Sequence, residues 1–121
     1  MKIVINDCYG GFSLSEKALD YYDILCGNTE ERSKYDIGRG IPRHDENLVK
    51  TVEDLGKDVN GKQAHLIIED VAHEFYNITS YDGVESLLID HCRARAHLVK
   101  FAKEHTDHIA IANEIERVLR V

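Results

Sequence analysis

Three groups of side chains in this 121-residue chain have types and spacings that could hold a ligand. The first is a basic island. Between Asp90 and Glu104 the chain carries Arg93, Arg95, Lys100 and Lys103, with His91 and His97, and no acid. The net charge is −7, so everything outside this island bears −11. On a helix Arg93, His97 and Lys100 share a face by their i, i+4, i+7 spacing, while Arg95 turns toward the apolar side. Guanidinium forks match phosphate oxygens, so such a cluster can neutralise a pyrophosphate. The plainer reading is a solvated face paired with the acidic surroundings.

The second group lies in a loop, where Arg39 and Arg43 sit among Gly38, Gly40 and Pro42, with His44 beside them. Loop arginines often serve ligands. Here Asp36, Asp45 and Glu46 are close enough in sequence to pair with them instead. The third group is aromatic and amide. Tyr9 and Phe75 could stack on a base, and Asn77 could pair with a base edge. Phe75 could equally be a core residue. Near Tyr9, the run Gly10-Gly11-Phe12-Ser13 precedes a helix start, where backbone N–H groups favour an anion. It lacks the spacing of the known phosphate-binding loops, so a tight turn with a capped helix is the simpler account.

Catalytic constellations are not legible. The chain has no G-x-S-x-G, no H-E-x-x-H and no Cys/His quartet. Cys92 adjoins His91 and Arg93, which could lower a thiol pKa, but its place on an apolar helical stripe predicts a packed side chain. Cys8, Cys26 and Cys92 form an odd set without C-x-x-C spacing, which reads as reduced thiols. No enzyme activity, cofactor or metal is expected.

The elements that must position these residues follow from patterning. Ile3, Val4 and Ile5 predict a central strand over Lys2–Asn6. Ser13 and Glu16 have capping-box spacing ahead of a helix that Gly27 ends, with Leu14, Ala18, Tyr22 and Leu25 on one face. Residues 28–44 read as a long loop. Asp45 caps a second helix that presents Leu48, Val52 and Leu55 and stops at Gly56. Asn60-Gly61 is a turn, and strands are predicted over Gln63–Glu69 and Glu74–Ser80. After the turn Asp82-Gly83 the pattern reads as helical from Val84 to the end. It forms either a hairpin bent at Glu104–His108, capped at Thr106 or Asp107, or one rod of ~37 residues spanning ~55 Å.

The expected fold is α+β, with a small mixed or antiparallel sheet, two helices in the N-terminal half and a C-terminal helical hairpin or rod. The length suits a single domain, 1–121, with a sheet-containing part to 83 and a helical part from 84. Apolar surface left on the helical part predicts a homo-oligomer built there. The acidic charge argues against nucleic-acid or anionic-membrane partners. The chain lacks any run of ~20 apolar residues, and its start is too short in apolar residues for a secretory signal.

The opening KIVINDCYGGFSLSEKA resembles the N-terminus of a group of small phage and prophage proteins, as do IPRHDENLVKTVEDLG (41–56) and ITSYDGVES (78–86). Glu46 stands where many of that group carry proline. Within it, the chain resembles the first family of Thoeris anti-defence proteins. That resemblance implies a non-catalytic sponge, active in the cytosol of an infected bacterium. The sponge would sequester a cyclic ADP-ribose isomer, or for some members cyclic oligonucleotides, and oligomerise through C-terminal helices. The alternative is an acidic inhibitor that binds a host protein directly. Read from the residues themselves and not from the resemblance, the set proposed to hold the ligand is Tyr9, Arg39, Arg43, Phe75, Asn77, Arg93, Arg95 and His97.

Overall fold

The computed structural model describes residues 1–33 and 35–119. Its elements are β1 (Lys2–Asn6), α1 (Glu16–Cys26), α2 (Glu46–Leu55), a 3-10 turn (Gly56–Val59), β2 (Leu66–Asp70), β3 (Tyr76–Tyr81), β4 (Val84–Ile89), α3 (His91–Glu104) and α4 (His108–Leu119). The fold is α+β. Its strands form two antiparallel pairs, β1 with β2 and β3 with β4. The chain divides into two compact units, and the division does not fall at residue 83. A sheet unit comprises Lys2–Asp70 and the hairpin tip Thr79–Ser86. A helical unit comprises Met1, Val71–Ile78 and the segment from Leu87 onward.

In the sheet unit β1 is buried on both faces, with Ile3, Val4 and Ile5 at most 2% exposed, as an unbroken β-branched run requires. Val4 lies opposite Ile68 of β2. Phe12, Ala18, Leu19, Tyr22, Leu48, Val52, Val59 and Leu66 close the core around it. Gly27 ends α1 in the left-handed conformation, φ 70°. The N-cap of α1 is Ser15 rather than Ser13. Ser15 Oγ accepts from the Ala18 amide at 3.1 Å, whereas Ser13 is buried and donates to the Lys62 carbonyl at 3.3 Å. Leu14 explains the difference: it forms an antiparallel bridge with Asn60 and its amide donates to the Ile37 carbonyl at 2.9 Å, so helical backbone begins only after Ser15. Asp45 caps α2 as its sequence predicts, accepting from Asn47 and Leu48 at 2.9 and 3.1 Å. It also accepts from the Tyr22 hydroxyl at 3.1 Å, which ties the two helices.

Arg32 is tied to α1 and to Asp36: its Nε and Nη2 each donate to Asp23 at 2.7 Å while Nη1 donates to Asp36 at 2.5 Å. The Arg32 guanidinium holds the Asp23 carboxyl below its ordinary range. At Asp36 the Gly38 amide does so first, and Arg32 second.

The expectation of helix from Val84 is overturned. Asp82 and Gly83 both take positive φ, 51° and 89°. That pair suits a two-residue hairpin whose twist matches the flanking strands, so Val84–Ile89 returns as β4. The apparent helical spacing of Val84, Leu87 and Leu88 coexists with a strand alternation in which Glu85, Leu87 and Ile89 are half-buried and Ser86 and Leu88 are exposed. Local turn geometry outweighs an ambiguous short apolar run. The predicted strands over 63–69 and 74–80 start three and two residues later, at Leu66 and Tyr76.

In the helical unit Asp90 caps α3, its side chain accepting from the Arg93 amide at 3.0 Å. The chain bends after Glu104. Asp107 starts α4 by accepting from Ile109 and Ala110 at 2.9 and 3.4 Å. Of the two forms the sequence allowed, the hairpin is the one present. No helix among the described residues is long and apolar enough to cross a membrane.

Candidate functional sites

The eight residues named from the sequence fall in two places. Tyr9, Arg39 and Arg43 belong to the sheet unit, and Phe75, Asn77, Arg93, Arg95 and His97 to the helical unit.

In the helical unit, Phe75 precedes β3 and is half-buried. Its ring centre lies 4.9 Å from the His97 imidazole, and the Arg93 guanidinium is 6.0 Å from it. Two backbone bonds fix Phe75: its amide donates to His73 Nδ1 at 3.1 Å, and its carbonyl accepts from Asp90 at 2.8 Å. His73 is thereby set with its Nδ1 lone pair as acceptor, so the neutral ring carries its proton on Nε2. That buried Nε2 has no hydrogen-bond partner among the described residues. The rings of His73, Phe75, His97, Phe101 and His105 form a continuous series, with successive centres 5.4, 4.9, 6.0 and 3.8 Å apart.

Asn77 is exposed, and its Nδ2 donates to Asp90 Oδ2 at 3.1 Å. This orients the amide and leaves Oδ1 as an acceptor. His97 Nε2 meets Glu114 Oε2 at 2.6 Å. Arg117 bridges Glu114, at 2.5 Å, and Glu74, at 3.0 Å. Arg117 first and His97 second hold the Glu114 carboxyl down at about 2. The His97 ring is therefore fixed from behind by a carboxylate.

Arg95 does not join this cluster. It lines a shallow groove with Cys92, Ala96, Val99, Lys100 and Lys103. Two residues along a helix is ~200° of rotation, so Arg93 and Arg95 diverge. Cys92, expected to be packed, is exposed, because Val84, Leu87 and Leu88, which complete its apolar helical stripe in the sequence, belong to β4. Core packing on α3 falls to Ala94, with Leu98 and Phe101 half-buried.

In the sheet unit, Arg39 and Arg43 line one cleft of about 600 Å³ with Gly10, Gly11, Phe12, Ser80, Asp82, Gly83 and Glu85. Arg43 is committed within the protein. Its fork donates to both Glu85 oxygens at 2.6 and 2.9 Å, and its guanidinium lies 3.7 Å over the Phe12 ring. Arg39 donates through Nε to the Phe12 carbonyl at 3.2 Å and has no carboxylate partner among the described residues. Tyr9 is 67% exposed and does not line the cleft. Sequence reasoning missed Glu85 and Asp82. The only trace of them was the Asp82-Gly83 turn, since nothing local shows that a residue of β4 reaches Arg43.

Among the described residues no three of His, Cys, Asp and Glu converge as metal ligands would. Comparison with protein-family models, curated proteins and solved structures finds no match to this chain.

Proposed function

We propose that this chain is a non-catalytic anti-defence binding protein that captures a cyclic nucleotide signal, of the cyclic ADP-ribose class, and holds it unchanged. The observation that carries this reading is the grouping of Phe75, Arg93, His97 and Asn77 on the helical unit. Phe75 offers a ring face to a base, and base–aromatic stacking is worth ~1–3 kcal/mol. Arg93 supplies a fork for a phosphate oxygen, a contact worth ~1.5–3 kcal/mol. Asn77 Oδ1 accepts from an exocyclic amine. His97, held by Glu114, packs beside Phe75 at 4.9 Å and extends the aromatic surface that Phe75 offers.

Closure of such a site calls for more protein surface than this patch supplies. A second copy, joined through the C-terminal helices, would provide it. Ile109, Leu119 and Val99 are 72, 55 and 48% exposed and are suited to such an interface.

Calorimetric titration with cyclic ADP-ribose isomers tests the reading. The expected result is saturable binding, weakened about tenfold or more by Phe75→Ala and by Arg93→Gln. Mass spectrometry of the heat-denatured complex should return the ligand at its original mass. Absence of binding heat for every isomer tried, or recovery of a cleaved product, overturns the proposal. Light scattering across concentrations tests the oligomer, which a constant monomer mass would exclude.

A further inference from the structure

The cleft of the sheet unit is a separate matter, because none of the residues just discussed lines it. Its walls have little side chain. Gly10 and Gly11 take φ of 109° and 92°, and Gly83 takes 89°. A Cβ at Gly83 would lie 2.3 Å from the Gly11 nitrogen, and one at Gly11 would lie 3.1 Å from Arg39 Nη2. The hairpin tip is thus pressed onto the Gly10-Gly11 turn, and the Arg39 guanidinium lies next to the bare Gly11 α-carbon. The Gly10 amide donates to the Asp82 carbonyl at 3.3 Å, and the buried Asn6 Nδ2 donates to the Gly83 carbonyl at 2.8 Å. These bonds preform the cleft, so a ligand has little ordering to do.

The charges sort by commitment. Arg43 and Glu85 neutralise each other. What remains for a ligand is the Arg39 fork and the Ser80 hydroxyl, with the Asp82 carboxylate on the same lining. The Arg39 fork can pair with the charged oxygens at one side of a ligand, while the Asp82 carboxylate, which has no proton to donate, repels a further charged oxygen brought near it.

We propose that this cleft is a binding site for a small monoanionic oxyanion, a phosphodiester or a carboxylate. Arg39 is its anchor, and Asp82 is the residue that rejects dianions.

The test is amide NMR of the full chain, titrated at pH 8 with dimethyl phosphate, acetate and inorganic phosphate, the last mostly dianionic there. The expected result is saturable shifts of the Gly10, Gly11 and Gly83 amides with dimethyl phosphate, acetate or both. Inorganic phosphate should bind more weakly. Arg39→Gln should weaken the binding about tenfold or more. Asp82→Asn preserves the turn, since asparagine tolerates positive φ, and should bring inorganic phosphate level with or ahead of the monoanions. Shifts that stay linear in concentration for both monoanions, or saturable shifts unchanged by Arg39→Gln, overturn the site. An unchanged preference in Asp82→Asn overturns the role of Asp82.

Discussion

Glu85 accepts both arms of the Arg43 fork, at 2.6 and 2.9 Å, and the same carboxylate accepts the Asn6 backbone amide at 2.7 Å. With side chains only 15 and 9% exposed, the two residues are a largely desolvated pair. Removing one partner of such a pair leaves the other uncompensated and typically costs about 3–5 kcal/mol. Glu85→Ala should therefore destabilise the chain by about 3 kcal/mol in urea denaturation. Arg43→Leu with Glu85→Leu should cost less than that single change. A Glu85→Ala midpoint within error of the wild type would show that the pair contributes nothing.

Two glycines with similar φ should respond differently to alanine. Gly27, at the end of α1, has φ 70° and open space where a Cβ would go. Gly27→Ala should cost about 1 kcal/mol, the conformational term alone. Gly83→Ala adds a backbone clash at 2.3 Å. It should cost more than about 3 kcal/mol or dislodge the hairpin tip. Thermal melts of the two variants should rank in that order.

Acid should loosen the helical unit through its carboxylates. Arg117 holds Glu74 below its ordinary range, and Arg117 with His97 holds Glu114 at about 2. Both folded-state values are depressed. Their stabilisation is therefore fully present above the unfolded carboxylate range near pH ~4.3 and is lost as pH falls toward ~2. Hydrogen exchange of α3 and α4 amides should accelerate across that window. Glu114→Gln should lower protection by about 1–3 kcal/mol at pH 7 and flatten the dependence below pH ~4. An unaltered slope would remove Glu114 from the account.

Thiol reactivity follows exposure. Cys26 and Cys92 are exposed and Cys8 is half-buried. In the native protein a colourless disulfide reagent should modify the first two quickly and Cys8 more slowly, with all three equal in denaturant. Uniform protection in the native state would place Cys92 back among packed residues.

The sequence by itself determined β1, α1, the Asp45 cap of α2 and the stop at Gly27. In each case the signal is local: a β-branched run, a capping side chain, or a residue able to take positive φ. It also exposed the basic island, because a cluster of like charge is visible without a fold. Tertiary structure decided what the charges do. Asp82-Gly83 was legible as a turn, but only pairing with β3 turned Val84–Ile89 into a strand, and only that strand delivered Glu85 to Arg43. That Arg93 and Arg95 diverge was legible from their spacing, but only folding brought Phe75, eighteen residues earlier, to within 6.0 Å of the Arg93 guanidinium. A carboxylate thirty or more residues away in sequence can claim an arginine once folding brings them together, and no local pattern records which arginine it will be.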